Sequence, residues 1–234
     1  MAIEIDGVMN ELDNWVLLRA NGKYIPPYSE SQSNKISIIN ADSLATGLLQ
    51  EDYGIQQVRN EIKKFSEIII SHNYDSIIEI GLGHCGSTHV LWRLLFNKVI
   101  TIEKSYDRIR EFGKNMRLYY NKWVFDDEKS RFLIGYSNDP TVVYNSRKLL
   151  PHGIDVLFID GDHKYESILT DWLLYSPLVK KGGIVAFHDS LVINVSGASQ
   201  FLNELSNGTI DGKKYIINQI IESNCAGIGY YINE

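Results

Sequence analysis

The sequence predicts an α/β fold in which a mostly parallel sheet carries helices on both faces, and three observations predict it. From residue 76 onward, short runs rich in β-branched residues alternate with segments of helical periodicity. The first run ends in closely spaced glycines, as in doubly wound sheets that bind ligands at the strand tips. The last two apolar runs, 214–217 and 228–232, have too little chain between them for a crossover helix, so they should pair antiparallel.

An amphipathic helix is predicted before the first strand, because apolar residues recur there at steps of three and four. These residues are Ile55, Val58, Ile62, Phe65 and Ile69. Five strand–helix units follow, with predicted strands at 76–80, 98–102, 131–135, 155–159 and 183–187. The predicted helices are 86–96, 105–120, 140–149, 165–176 and 198–206. With the antiparallel pair at the end, the predicted sheet has seven strands.

The composition is that of a globular protein, with 44% apolar and 22% charged residues among 234. A net charge of −6 argues against a nucleic-acid partner, which would favour a basic surface. No apolar run approaches the ~20 residues needed to cross a bilayer, and residues 1–10 lack the basic start of a signal peptide. Cys85 and Cys225 fit no metal-binding spacing and suggest reduced thiols, so we expect a cytoplasmic protein without a membrane partner.

The chain is predicted to consist of an N-terminal extension, residues 1–54, and a main domain, residues 55–234. Residues 20–40 contain Asn21-Gly22, Pro26-Pro27 and a serine-rich stretch, which are typical of turns and loops. Two interpretations remain open for this segment. It is either a surface connector or a lid that faces the substrate.

The first strand leads into a glycine turn that predicts a site for a nucleoside-containing cofactor. Gly81, Gly83 and Gly86 follow the pattern Gly-x-Gly-x-x-Gly between a strand and a helix. Glycine lets the backbone take positive φ angles and approach a ligand closely at such a turn, and the helix offers unpaired N–H groups to the ligand. Glu103 ends the next strand, where its carboxylate is placed to accept hydrogen bonds from both ribose hydroxyls.

Glu79 distinguishes between two kinds of cofactor. It lies two residues before Gly81, near the end of the strand, where its carboxylate would repel the pyrophosphate of a dinucleotide such as NAD. S-adenosylmethionine (SAM) instead carries an ammonium and a sulfonium group that a carboxylate attracts. The residues therefore favour SAM, and the alternative for Glu79 is a salt bridge with a nearby Lys or Arg.

Two aspartates end neighbouring strands and indicate a metal site. Asp160 follows the fourth predicted strand and Asp189 the fifth, so both should lie at one edge of the sheet. Such carboxylates repel each other unless a cation lies between them, and Mg²⁺ prefers oxygen ligands; helix capping is the alternative interpretation. His188 is a further candidate ligand, although nitrogen suits Mg²⁺ less well. His163 is a candidate base because a histidine pKa lies near neutrality, with an exposed or capping histidine as the alternative.

Three segments together follow the pattern of a known family. They are Ile78-Glu79-Ile80-Gly81-Leu82-Gly83 with Gly86-Ser87-Thr88, then Phe158-Ile159-Asp160-Gly161-Asp162-His163-Lys164-Tyr165-Glu166, and then 178–189, which ends in Phe187-His188-Asp189. With Glu103, they resemble the class I SAM-dependent methyltransferases of the family called methyltransferase domain 24. That family includes macrolide-sugar O-methyltransferases and the cephamycin-pathway methyltransferase-like protein. The resemblance covers about half the chain, residues 76–190.

The resemblance implies a Rossmann-like methyltransferase fold and assigns roles to residues of this chain. The residues that it assigns to the SAM site are Glu79, Gly81, Leu82, Gly83, Gly86, Ser87, Glu103, Lys104, Ser137 and Asp160. It implies Mg²⁺ held by Asp160 and Asp189, sometimes with a ligand at His188, and a base at His163. The chain departs from the family at Tyr136, where members often carry an acid near the adenine. It departs again at His188, where some metal-dependent members carry Glu.

These observations predict a SAM-dependent O-methyltransferase. Asp160 and His163 would be its catalytic residues, and Mg²⁺ would help to activate a hydroxyl of a small molecule such as a sugar, a natural product or a phenol. One alternative keeps SAM and omits the metal ion. Another is a non-catalytic SAM-binding scaffold or partner subunit of a biosynthetic complex, and a dehydrogenase is the most distant. Self-association into a homo-oligomer is an expectation that comes from the resemblance.

Overall fold

The structure, a computed structural model, describes residues 3–18, 57–83, 86–120, 128–191, 197–222 and 227–234. The strands in this part of the chain are β1 Ser76–Ile80, β2 Lys98–Glu103, β3 Ser130–Ile134, β4 Ile154–Ile159, β5 Val179–His188, β6 Asn218–Ile220 and β7 Ile228–Ile232. The helices are α1 Ile5–Leu18, α2 Arg59–His72, α3 Ser87–Leu95, α4 Tyr106–Tyr120, α5 Pro140–Leu149, α6 Tyr165–Tyr175 and α7 Gly197–Asn207.

The strands form one seven-stranded sheet in the order β3-β2-β1-β4-β5-β7-β6. Neighbours from β3 to β5 run parallel, whereas β7 runs antiparallel to both β5 and β6. From β1 the chain builds outward on one side through β2 and β3 and on the other through β4 and β5. This reversal leaves a crevice beyond the carboxyl ends of the central strands. The predicted Rossmann-like fold with an antiparallel end is confirmed.

The sheet is buried on both faces, and each face has its own apolar cluster. All five residues of β1 are buried. Ile77 belongs to the first apolar cluster, which forms with α1, α2 and α3, whereas Ile78 and Ile80 belong to the second apolar cluster, which forms with α5, α6 and α7. Central parallel strands between two layers of helices read as continuous apolar runs, which explains why β1, β2 and β4 were recognisable from the sequence.

The N-terminal helix α1 packs onto the same body as the sheet. Leu12 and Trp15 are buried in the first cluster, and the Trp15 indole donates a hydrogen bond to Ser87 Oγ at 3.1 Å. The Arg59 guanidinium at the start of α2 pairs with both carboxylate oxygens of Asp13. These contacts join α1 to the helices that flank β1.

Several predictions fall on residues that the structure does not describe. They are the domain boundary after residue 54, the connector or lid at 20–40, and the state of Cys85 and Cys225. Within the described ranges, no helix combines the length and the apolar character that crossing a membrane requires.

The predicted strands and helices are confirmed to within a few residues except near the C-terminus. The strand predicted at 214–217 is wrong, because β6 begins at Asn218 and pairs with β7 through Ile220 and Ile228. Tyr215 is instead tied to α7, since its N–H donates to the carbonyl of Leu205. This run packs against the second apolar cluster, and its short apolar pattern does not distinguish such packing from a strand.

Candidate functional site

A cavity of about 860 Å³ lies at the carboxyl ends of the central strands. Its walls come from the residues that follow β1, β2, β3, β4 and β5, from α6, and from the segment before α2. This volume suits a small-molecule ligand or cofactor. Of the predicted site residues, those that line the cavity are Gly81, Gly83, Glu103, Lys104, Ser137, Asp160, His163, His188 and Asp189. Those that lie outside its lining are Glu79, Leu82, Gly86 and Ser87.

Gly81 allows the tip of β1 to lie directly against the tip of β4. Its φ is +99°, and a Cβ at this position would overlap the carbonyl oxygen of Asp160, so no other residue fits without moving a strand. Gly86 precedes α3 with φ +61°, and a Cβ there would overlap the ring of Phe112. Leu82 and Ser87 are buried. They and Gly86 therefore shape the turn, whereas Gly81 and Gly83 face the cavity.

Glu103 links the end of β2 to the glycine turn. Its carboxylate accepts a hydrogen bond from the backbone N–H of Leu82 at 3.1 Å and another from Ser105 N–H at 2.8 Å. Arg108 Nη1 lies 3.6 Å from Glu103 Oε2. These contacts fix the carboxylate at the cavity wall. About half of its lone pairs remain available to accept hydrogen bonds from a ligand.

The loop after β3 forms another part of the wall. The Tyr175 hydroxyl of α6 donates to the backbone carbonyl of Ser137 at 2.6 Å, which ties this loop to the helix. Lys104 Nζ lies 5.9 Å from the centre of the Tyr136 ring. Tyr136 is exposed and also belongs to the lining of the cavity.

The structure places Glu79 away from the cavity, inside the first apolar cluster. Trp92 Nε1 donates to Glu79 Oε1 at 2.8 Å, and the Thr101 hydroxyl donates to Oε2 at 2.8 Å. Burial raises the pKa of Glu79 to about 7, although hydrogen bonds from Thr88, Thr101 and Trp92 oppose the rise. The carboxylate therefore faces this cluster and not the cavity, and among the described residues its hydrogen-bond partners are Trp92, Thr88 and Thr101 instead of a Lys or Arg.

Four ionisable side chains meet at the tips of β4 and β5. His163 Nδ1 lies 2.6 Å from Asp189 Oδ2. His188 Nδ1 lies between the two carboxylates, 3.1 Å from Asp160 Oδ1 and 3.3 Å from Asp189 Oδ1. Gln57 Nε2 donates to Asp160 Oδ2 at 3.0 Å. Each of the four carboxylate oxygens therefore has a nitrogen neighbour.

In this acid–histidine cluster (Asp160, His163, His188 and Asp189), the negative carboxylates and the protonated histidines stabilise each other's charged forms. Burial alone would lower the pKa of His188, but the charge of Asp160 and hydrogen bonds to both aspartates raise it well above its usual range. Hydrogen bonding to Asp189 raises the pKa of His163. Burial would raise the pKa of Asp189, but hydrogen bonds from the two histidines hold it well below its usual range.

The donor atoms of Asp160, His188 and Asp189 are also close enough to hold a metal ion, since they lie within 4.8 Å of one another. The side chains of Asp160 and Asp189 remain 19% and 15% exposed, so a cation has access to them. Two carboxylates suit a hard divalent cation, and the His188 nitrogen suits it less well. Because His188 already lies between the carboxylates, a metal ion would compete with its proton for the same place.

Two buried polar residues of the cavity lining were not predicted from the sequence. Gln57 is 3% exposed and reaches Asp160 from the segment before α2; a single glutamine outside any motif carries no signal. Asp171 is also 3% exposed and lies on α6. Asp171 lies on the same helix face as the apolar residues Ile168 and Trp172. Because buried acids on helices are uncommon, this position could have predicted a functional role for Asp171 from the sequence.

The strand order, the glycine turn after β1 and the acid that ends β2 define the class I methyltransferase fold. An O-methyltransferase from Bacillus cereus, solved with S-adenosylhomocysteine (SAH), is 16% identical with a TM-score of 0.55, covering 97% of this chain and 91% of that one. CalS11, a TDP-rhamnose 3′-O-methyltransferase of calicheamicin biosynthesis, is 12% identical with a TM-score of 0.55, covering 88% and 95%. MycE of the mycinamycin pathway, solved with Mg and SAH, is 15% identical with a TM-score of 0.51, covering 81% and 53%. At these identities the likeness concerns the fold.

The segment 78–190, just under half of the chain, matches the model of the family described as methyltransferase domain. It contains the glycine turn, Glu103 and the whole acid–histidine cluster. A relative from Acanthamoeba polyphaga mimivirus, the uncharacterized protein R132, is 34% identical over 114 residues. That match spans 48% of this chain and 50% of the relative.

Proposed function

We propose that the protein is a SAM-dependent methyltransferase that transfers a methyl group to a hydroxyl of a small molecule, such as a sugar or another natural product. The observation that carries the proposal is the single cavity that joins the glycine turn and Glu103 to the acid–histidine cluster. A nucleoside cofactor held at the first end would present its reactive group to the second. The family match and the O-methyltransferase names of similar structures support the same reaction.

SAM would bind across the tips of the central strands. Its ribose hydroxyls would donate to Glu103, whose oxygens keep free lone pairs beside the Leu82 and Ser105 N–H groups. Its methionine part would lie against Gly81 and Gly83, and its ammonium near the partly exposed Asp160 carboxylate. Glu79 would contribute indirectly, because it anchors the strand that carries the turn.

His163 would be the base for the acceptor hydroxyl. Asp189 holds Nδ1 of its ring, which leaves Nε2 to take the hydroxyl proton, and the half-exposed ring can reach a ligand. The acceptor oxygen would attack the methyl carbon of SAM in line with the carbon–sulfur bond. That bond would break with its electron pair on sulfur, which leaves SAH and the methyl ether. Alignment of oxygen, carbon and sulfur by the cavity would supply much of the rate enhancement.

Asp160 and Asp189 are proposed as ligands of Mg²⁺. When bound, it would lower the pKa of the acceptor hydroxyl and orient the oxygen. One observation favours the metal-free alternative: every oxygen of these carboxylates already has a side-chain nitrogen neighbour. Methyl transfer measured with EDTA and then with added Mg²⁺ separates the two cases. A rate that EDTA leaves unchanged removes the metal ion from the proposal.

The cofactor assignment is tested by titrating the purified protein with SAM, SAH and NAD in a calorimeter. We expect micromolar or tighter binding of SAM and SAH and no binding of NAD. Mass spectrometry of the protein after gentle denaturation should also detect any SAH retained from the expression host. Preference for NAD would refute the proposal.

The chemistry is tested with Asp160→Ala and His163→Gln in an assay that detects SAH formed from SAM in the presence of a panel of sugars, phenols and polyketide-type alcohols. Both variants should bind SAH within about tenfold of the native protein. Methyl transfer should fall at least about a hundredfold in His163→Gln, which loses the general base, and it should also fall in Asp160→Ala, which loses a ligand of the proposed Mg²⁺. Thermal melting serves as the control for folding. Tight SAM binding without transfer to any acceptor would indicate the non-catalytic scaffold.

A further inference from the structure

Asp171 is a buried carboxyl that the proposed methyl transfer does not use. It is 3% exposed and still lines the cavity. Within the described part of the chain, no lysine, arginine or histidine forms an ion pair with it; the groups that act on it are the hydroxyl of Ser137 and the charge of Asp162. Burial raises the pKa of Asp171 to about 6, so at neutral pH it carries a charge with few donors around it. A ligand that brings an N–H group would offset this cost.

The carboxylate is held between the loops that follow β3 and β4. The Ser137 side chain hydrogen-bonds to it, and Tyr175, one turn further along α6, holds the backbone of the same serine at 2.6 Å. On the other side, Asp171 Oδ2 lies 3.9 Å from the place that a Cβ on Gly161 would occupy. Asp171 therefore has a fixed place in the cavity wall.

The proposed position of SAM determines which of its groups reaches this wall. With the ribose on Glu103 at the tip of β2 and the methyl group at the tips of β4 and β5, the base must extend from the ribose toward the loop after β3. That loop, Gly135 to Asn138, borders the cavity together with Asp171. On the edge of adenine, the only N–H donors are on the exocyclic amino group, since the ring nitrogens of the bound base accept hydrogen bonds.

We infer that Asp171 accepts a hydrogen bond from the exocyclic amino group of adenine and thereby selects an adenosyl over an inosyl cofactor. The inference rests on the proposed function, because it uses the orientation of SAM given above. In an inosyl ligand a carbonyl oxygen replaces the amino group, so it would face the Asp171 carboxylate without a proton between the two oxygens. Such a mismatch at a buried polar group discriminates strongly between ligands.

The test compares SAH with S-inosylhomocysteine by calorimetry at pH 7.5. The native protein should bind SAH at least about tenfold more tightly, as expected for a hydrogen bond to a charged group. Asp171→Asn offers an N–H group to the inosyl carbonyl, so the ratio of the two dissociation constants should fall to near one or reverse. Asp162→Asn removes a charge from an exposed acid that also lines the cavity, and it should leave the ratio unchanged.

Each outcome separates this inference from the proposed function. Equal binding of the two ligands by the native protein would overturn the inference even if the variant failed to fold. An Asp171→Asn protein that binds SAH more weakly but keeps the native ratio would reduce Asp171 to a structural role. Failure of the native protein to bind either ligand would refute the proposed function and the inference with it.

Discussion

Replacing Glu79 with Gln should change how the stability of the protein depends on pH. Burial raises the pKa of this carboxyl from its ordinary value of 4.5 to about 7 in the folded protein. Between these two pH values the folded state holds a proton that the unfolded state releases. The contribution of Glu79 to stability is therefore most favourable below pH 4.5 and is lost as the pH rises through 7.

The size of the effect follows from the difference between the two pKa values. At about 1.4 kcal/mol per pH unit, ionising the folded carboxyl costs about 3 kcal/mol more than ionising the unfolded one above pH 7. Glu79→Gln removes the titration and keeps one oxygen as an acceptor for the Trp92 indole. The Thr101 hydroxyl can rotate to accept from the new amide. Relative to the native protein, the variant should gain about 2 to 3 kcal/mol of unfolding free energy between pH 5 and pH 8.

The assay is urea unfolding at pH 5, 6, 7 and 8, followed by circular dichroism so that the Trp92 environment does not bias the signal. Glu67→Gln, on the exposed side of α2, controls for the removal of one negative charge. The decisive quantity is the difference in unfolding free energy between variant and native protein at each pH. A difference that stays constant from pH 5 to pH 8 would refute the assignment of a titrating buried carboxyl.

Two further substitutions test the turn and the N-terminal helix. Gly81→Ala should abolish SAH binding in calorimetry and lower the melting temperature, because its Cβ would overlap the Asp160 carbonyl; Gly182→Ala, at φ +79° in open space, controls for backbone strain alone and should cost only about 1 kcal/mol. Trp15→Phe removes the donor to Ser87 and should lower the unfolding free energy by about 1 kcal/mol. An unchanged urea midpoint would show that α1 is not anchored through this bond.

The sequence could predict the central strands because each is buried on both faces and therefore apolar throughout. For the same reason, the orientation of the Glu79 side chain could not be predicted from the sequence. Side chains alternate between the two faces of a strand, and in β1 both faces are buried, so no polar face marked the side toward the cavity. Its neighbour Ile80 lines the cavity, whereas Glu79 points into the first apolar cluster. Position near a strand tip alone therefore does not determine whether a side chain faces the cavity.

The acid–histidine cluster was predictable for the opposite reason. Asp160 and Asp189 directly follow neighbouring parallel strands, and parallel strands end at one edge of a sheet whatever the faces of their side chains. Which histidine pairs with which aspartate could not be predicted, because this depends on distances in the folded chain, such as the 2.6 Å between His163 Nδ1 and Asp189 Oδ2. Gln57 illustrates the same limit, since it joins the cluster from 103 positions away along the chain.

Asp160 connects the two halves of the site through different atoms. Its backbone carbonyl lies so close to Gly81 that only glycine fits there, and its backbone N–H donates a hydrogen bond to the backbone carbonyl of Ile80 at 2.9 Å. Its side chain pairs with His188 and Gln57. A change of side chain alone leaves the backbone contacts with the glycine turn intact, so cofactor binding and methyl transfer should separate in side-chain variants of Asp160. Movement of the β4 tip would instead weaken cofactor binding and slow methyl transfer together. Comparing the loss of SAH affinity with the loss of methyl-transfer rate in each Asp160 variant therefore shows whether the substitution moved the strand.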